Sequence, residues 1–354
     1  TPMSRREALR ACAAGFGSVA LAGIARMAHA TPSAYPAHFM PRARRVIFLF
    51  MWGGASHVDL FDPKPRLNLD AGKPLRGADV GQGGNELGTL LGSPFAFRQH
   101  GQSGMWMSEL TPHLARHADK LCMIRSLHTE GSAHGEALLR LHTGNANLVR
   151  PSVGAWVSYG LGSDSEDIPA FVTISPPRGH GGVQNYGSAF LPARHQGTAI
   201  GSAEIPIAQS KIPNLESSRM DRSLQRRQLD LIQSFNQGHL EATAGDSQVD
   251  GLIASYELAF RMQSTIPSIL GMKGETQATL DAYGVDQDPT DNFARQCLLA
   301  RQFAEAGARY IQVSTDYTWD HHNKVKEGLI AETAKTDQPI AALLDDLEQR
   351  GMLE

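Results

Sequence analysis

Unbroken apolar runs alternate with stretches of helical spacing along most of this chain. Residues 45–52, 121–127, 170–174 and 309–314 are short, largely apolar and rich in β-branched or aromatic side chains, and each predicts a buried strand. Apolar positions recur every three or four residues over 107–117, 134–142, 152–161, 217–235, 251–263, 293–306 and 337–350, which predicts helices. The last of these is amphipathic, with Ile340, Leu343, Leu344 and Leu347 on one side. Thr143-Gly144 closes the second. Residues 62–104 and 176–201 are rich in Gly and Pro, read as irregular chain, and the charge run 219–227 reads as a solvated helix face. Strands separated by helices predict an α/β fold, a doubly wound, mostly parallel sheet with helices on both faces.

Polar clusters follow three of the predicted strands. The first runs through Gly53-Gly54 into Ser56, His57 and Asp59; the second leads to His128, Ser132 and His134; the last leads to Asp316, Asp320, His321 and His322. Parallel strands present their carboxyl ends on one edge, where open α/β sheets bind ligands, so the three clusters can meet. Imidazoles with carboxylates suit Zn, Mn, Fe or Mg, and the spacing of Asp320 and His322 makes them a candidate ligand pair. The competing reading of the first cluster is a Gly-Gly turn with Ser56 as a helix N-cap.

The amino-terminal pattern bears on compartment. Ser4-Arg5-Arg6 precedes an apolar run rich in Ala and Gly, and Ala28-His29-Ala30 ends it. Residues 1–30 therefore read as a twin-arginine signal peptide with Met3 as the start, and 31–44 as a Pro-rich linker to a domain over 45–354. The expected location is periplasmic or extracellular, the expected partner the twin-arginine export machinery, and no stable membrane span is expected after cleavage. The formal net charge is −3, and removing the four arginines and one glutamate of 1–30 leaves −6. Without basic blocks, nucleic-acid binding is not expected. Cys122 and Cys297 lie in apolar runs and read as two buried free thiols.

The order of these motifs resembles a known family. Residues 45–65, Arg125-Ser126-Leu127-His128-Thr129, residues 186–192, 256–263 and 295–301, and Trp319-Asp320-His321-His322 are together similar to the family called domain of unknown function 1501. Its members are exported, sulfatase-like proteins of the alkaline-phosphatase superfamily. The resemblance implies metal-assisted displacement on sulfate or phosphate esters, with a divalent metal (Zn, Mn, Mg or Ca) beside the nucleophile. Residues 134–144 resemble the sulfatase helix that begins with the nucleophile and ends in Leu-x-Thr-Gly, with His134 in the nucleophile's place. No Cys-x-Pro-x-Arg or Ser-x-Pro-x-Arg occurs, which speaks against a formylglycine. The first strand ends in Met51-Trp52-Gly53-Gly54, where sulfatases carry a metal-binding Asp pair, so Ser56, His57 or Asp59 would substitute.

The expectations are thus an exported, metal-dependent hydrolase of sulfate or phosphate esters acting on a small-molecule or glycan ester. Ser56 and His134 are the candidate catalytic groups, Asp59, Asp320 and His322 the metal ligands, and His57, His128 and Arg125 the substrate contacts. The alternative is a non-catalytic sulfatase-like protein that binds polyanionic glycans or a partner protein. The family's later Gly-Glu-Phe-Gly-Arg and Gly-Arg-Asp-His segments do not follow residue 353, so the domain is expected to be C-terminally truncated.

Overall fold

In the computed structural model, residues 40–74, 88–131, 133–210, 220–242, 247–272 and 274–353 are described. The signal and most of the linker, like Ser132, lie outside them. Residues 44–354 group into one unit.

Its centre is a parallel sheet of four strands: β1 (Val46–Phe50), β4 (Phe171–Ile174), β5 (Thr198–Ile200) and β6 (Tyr310–Ser314), in the spatial order β1-β6-β4-β5. β6 pairs with β1 from Val46 against Tyr310 to Phe50 against Ser314, and with β4 from Phe171 against Tyr310. Every residue of β4 and β6 is buried, as expected for strands covered on both faces. β1 lies at the edge and is only partly buried.

Alternation along β1 separates two cores. Ile47, Leu49 and Met51 pack on the larger one, which includes Cys297, Leu298 and Phe303 of α8 (Asp291–Ala306) and Leu343 of α9 (Val325–Gln349). Phe48, Phe50 and Trp52 pack on the other side with Leu138 of α3 (His134–Thr143). α4 (Val153–Leu161), capped by Ser152, lies so close to β4 that a Cβ on Gly154 would fall 2.6 Å from the Phe171 ring. Short α1 (His57–Leu60) and α2 (Pro65–Leu69) follow β1. The helices α5 (Arg222–Ala242) and α6 (Ser247–Leu270) pair with each other, and α7 (Gln277–Tyr283) packs on α9.

Four expectations are corrected. Residues 121–127 form no strand: no neighbouring chain offers them a ladder, and Ile124 and Leu127 are exposed. Cys122 is exposed with them, whereas Cys297 is buried, and both are free. The helix expected over 107–117 is replaced by an antiparallel hairpin, β2 (Phe97–His100) with β3 (Met105–Ser108), and a 3-10 helix over Leu114–Lys120. α9 begins twelve residues before the expected start and runs through Pro339. Asp337 caps the 3-10 helix instead, accepting from the N–H groups of His113 at 2.7 Å and Leu114 at 2.8 Å. No helix among the described residues is long and apolar enough to cross a membrane.

His142, on α3, is buried edge-on to Phe48 and Phe50, with ring centroids 5.8 and 5.0 Å away. Burial pulls its pKa down to about 4. The unfolded chain takes up a proton near the ordinary value of about 6.5 that the folded chain refuses, so stability falls as pH drops through this window. Denaturant melts are expected to lose up to about 3 kcal/mol from this group between pH 7 and 4. In His142→Leu that component of the slope should be absent.

Candidate active site

The carboxyl ends of β1, β4 and β6 and the start of α3 deliver one cluster: Trp52, His134, His180, Tyr317, Asp320 and His322. Trp52 leaves β1 with its backbone N–H donating to Thr315 Oγ1 at 3.0 Å, which ties the exits of β1 and β6 together. Gly53 then turns the chain with φ +113°, and a Cβ there would lie 2.5 Å from the Asp320 nitrogen. Only glycine satisfies both demands.

Asp320 is the hub. Its Oδ2 accepts from Tyr317 Oη at 2.7 Å and meets His322 Nε2 at 2.8 Å and His134 Nε2 at 3.1 Å. Partial burial opposes ionisation of this carboxyl, but the bonds from Tyr317 and His322 and the nearby His134 outweigh it, so the group titrates below the usual carboxylate range. Burial, followed by the neighbouring carboxylate, pushes the Tyr317 hydroxyl up to about 12. A carboxylate only accepts, so His322, bonded to it, carries its proton on Nε2 and leaves Nδ1 as the free base when neutral, while His134 Nε2 faces the same oxygen at ion-pair distance.

His180, in the glycine-rich loop after β4, closes the cluster. Its backbone is left-handed (φ 48°), and its carbonyl accepts from Asn185 Nδ2 at 3.1 Å. The Trp52 indole, which can only donate, reaches His180 Nδ1 at 3.0 Å, so the neutral ring holds its proton on Nε2. The ring stacks on His134 with centroids 5.4 Å apart, and Tyr317 stands edge-on to both.

The other nominated residues lie elsewhere or pair locally. Ser56 Oγ donates to Asp59 Oδ2 at 2.6 Å, and neither group bonds to a cluster histidine. Asp59 is buried at the start of α1, so the set Asp59, Asp320 and His322 does not converge. Among the described residues no group of three or more His, Cys, Asp or Glu side chains could hold a metal ion. His134, His322 and Tyr317 spend their contacts on one carboxylate oxygen instead. Arg125 faces Asp62 at 3.7 Å, and Lys64 donates to the same carboxylate at 2.6 Å. Asp62 titrates low, chiefly through Lys64, with Arg125 and His57 adding positive charge. Two nominated substrate contacts thus surround an acid, and His128 lies on exposed chain. His321 packs on Gly328 of α9.

Residues 43–354 match the family described as protein of unknown function (DUF1501). The chain belongs to this family. Comparison with curated proteins and with solved structures finds no match. In this DUF1501 chain, Trp52, His180 and Tyr317 are the site residues that the sequence reading missed. Each follows the carboxyl end of a correctly expected strand, which is the signal that could have found them.

Two outcomes test this geometry. Gly53→Ala is expected to cost at least about 2 kcal/mol in a denaturant melt, since a left-handed residue and a backbone clash add. Imidazole nitrogen NMR should show His180 as the Nε2–H tautomer, with Trp52→Phe producing a mixture; a dominant Nδ1–H form in the unaltered protein would contradict the indole bond.

Proposed function

We propose that this protein is an exported hydrolase of sulfate or phosphate esters, built on a doubly wound, sulfatase-like sheet, with Asp320, His134 and His322 as its acid–base machinery. The observation that supports this reading most directly is a single carboxylate oxygen shared by two imidazoles and a phenol at the carboxyl edge of a parallel sheet.

The chemistry follows from the proton positions. Asp320 orients neutral His134, whose Nδ1 takes a proton from water as the water oxygen bonds to sulfur or phosphorus. The bond from that atom to the alcohol oxygen breaks, and the alcohol oxygen takes a proton from protonated His322. The Nε2–H of His180 and the uncapped amino end of α3 are donors for the oxygens of the transferred group. Because Asp59 faces Ser56, no step is assigned to a metal, and the expected divalent ion is tested separately.

The full-length exported protein should hydrolyse aryl sulfates or aryl phosphates. Asp320→Asn and His134→Gln are each expected to lower kcat by about 10²–10⁴ while leaving the thermal melt intact. Chelation followed by Zn, Mn, Mg or Ca tests the metal: restoration of a lost rate would make Asp320 and His322 ion ligands. A folded protein that retains sulfated glycans without turning over either ester would favour the binding-protein alternative.

A further inference from the structure

The loop that carries His180 turns on an unfavourable stretch of backbone. His180, Gly181 and Gly182 have φ of 48°, 99° and 51°, three successive left-handed residues, and the first is not a glycine. A residue with a Cβ resists that conformation, so His180 needs an outside hold. The bond from Gly182 N–H to the Gly179 carbonyl at 3.0 Å closes the turn and leaves the His180 carbonyl to another donor.

Asn185 supplies that donor. It lies on the 3-10 helix Gly182–Tyr186, is fully buried, and donates from Nδ2 to the His180 carbonyl at 3.1 Å. Its Oδ1 has no hydrogen-bond partner. A Cβ on Gly181 would fall 2.7 Å from that oxygen and 2.9 Å from Leu139 of α3, so the side chain is wedged against the turn. An unpaired buried oxygen costs stability, and a leucine of similar size would fill the same space without that cost. What an asparagine adds there is the one bond to His180. Trp52 holds a single ring atom of His180, Nδ1, and Asn185 holds the backbone from which the ring projects onto His134.

We propose that Asn185 is a positioning residue, whose bond to the His180 carbonyl sets the ring so that Nδ1 meets the Trp52 indole and the proton stays on Nε2. This stands on the geometry alone; only its kinetic consequence rests on the hydrolase reading. In imidazole nitrogen NMR of the full chain, Asn185→Leu should lower the ratio of Nε2–H to Nδ1–H His180 at least about tenfold. Adding it to Trp52→Phe should change nothing further, because both act on one ring. Asn185→Ala is the second variant, and thermal melts check that each is folded. Asn185→Leu should also lower kcat on an aryl sulfate or aryl phosphate at least about tenfold, with no further loss in the His180→Ala background. Folded variants with an unaltered tautomer ratio, an additive effect with Trp52→Phe, or unfolding of both variants would each overturn the proposal. A shifted tautomer ratio beside an unaltered kcat would support the positioning and overturn the part given to His180 in hydrolysis.

Discussion

Gly53 leaves no room for a side chain where the exit of β1 passes the backbone of Trp319 and Asp320. This approach depends on the parallel pairing of β1 with β6, which ends with Phe50 opposite Ser314 and continues in the bond from Thr315 N–H to the Phe50 carbonyl at 3.0 Å. The two strand exits are therefore fixed on each other before any functional side chain is placed. Trp52 on one exit and Tyr317 and Asp320 on the other inherit their positions from that contact. A ladder thus sets the site geometry, and the loops only have to bridge short distances.

The far end of the Asp320 loop is fixed by α9, which a buried ion network holds against α8. Arg301, almost fully buried, reaches Glu275 at 2.6 Å and Asp346 at 2.9 Å, and Tyr283 donates to the same aspartate at 3.0 Å. Arg350 joins at 2.6 Å. Buried ion pairs add little net stability because desolvation offsets attraction, but a mispaired one is costly. The network therefore favours one register of α8 on α9 over others. That register sets where α9 begins, and so how much chain lies between Ser314 and Val325 to shape the loop.

The fold was legible where local pattern and long-range partner agreed. β1, β4 and β6 carry apolar runs that the sheet buries, and α3, α4 and α8 carry the expected helical spacing. Residues 121–127 carry a strand-like run with no ladder to join, and β5 has only three residues, too few to stand out. For the site, the shared edge of parallel strands brought His134 to Asp320 and His322 as expected. Ser56 and Asp59 lie on the same strand exit but satisfy each other within one helical turn, a local bond that competes with any distant partner. The role of His180 rests on an indole 128 positions away, which no spacing along the chain records.

Concentrating Tyr317, His322 and His134 around one oxygen has an electrostatic consequence. Asp320 alone would repel a sulfate or phosphate ester, and no arginine or lysine contacts it among the described residues. Any attraction for an anionic group must come from protons on His134 and His322, from the His180 N–H and from the start of α3. Yet the proposed hydrolysis needs one imidazole neutral to take a proton from water. A low-titrating carboxylate reconciles these demands, because it stays ionised while its two partners differ in charge. In the proposed reaction it would hold one protonated and one neutral ring on the same atom, and exchange of their roles would reset the pair after each turnover.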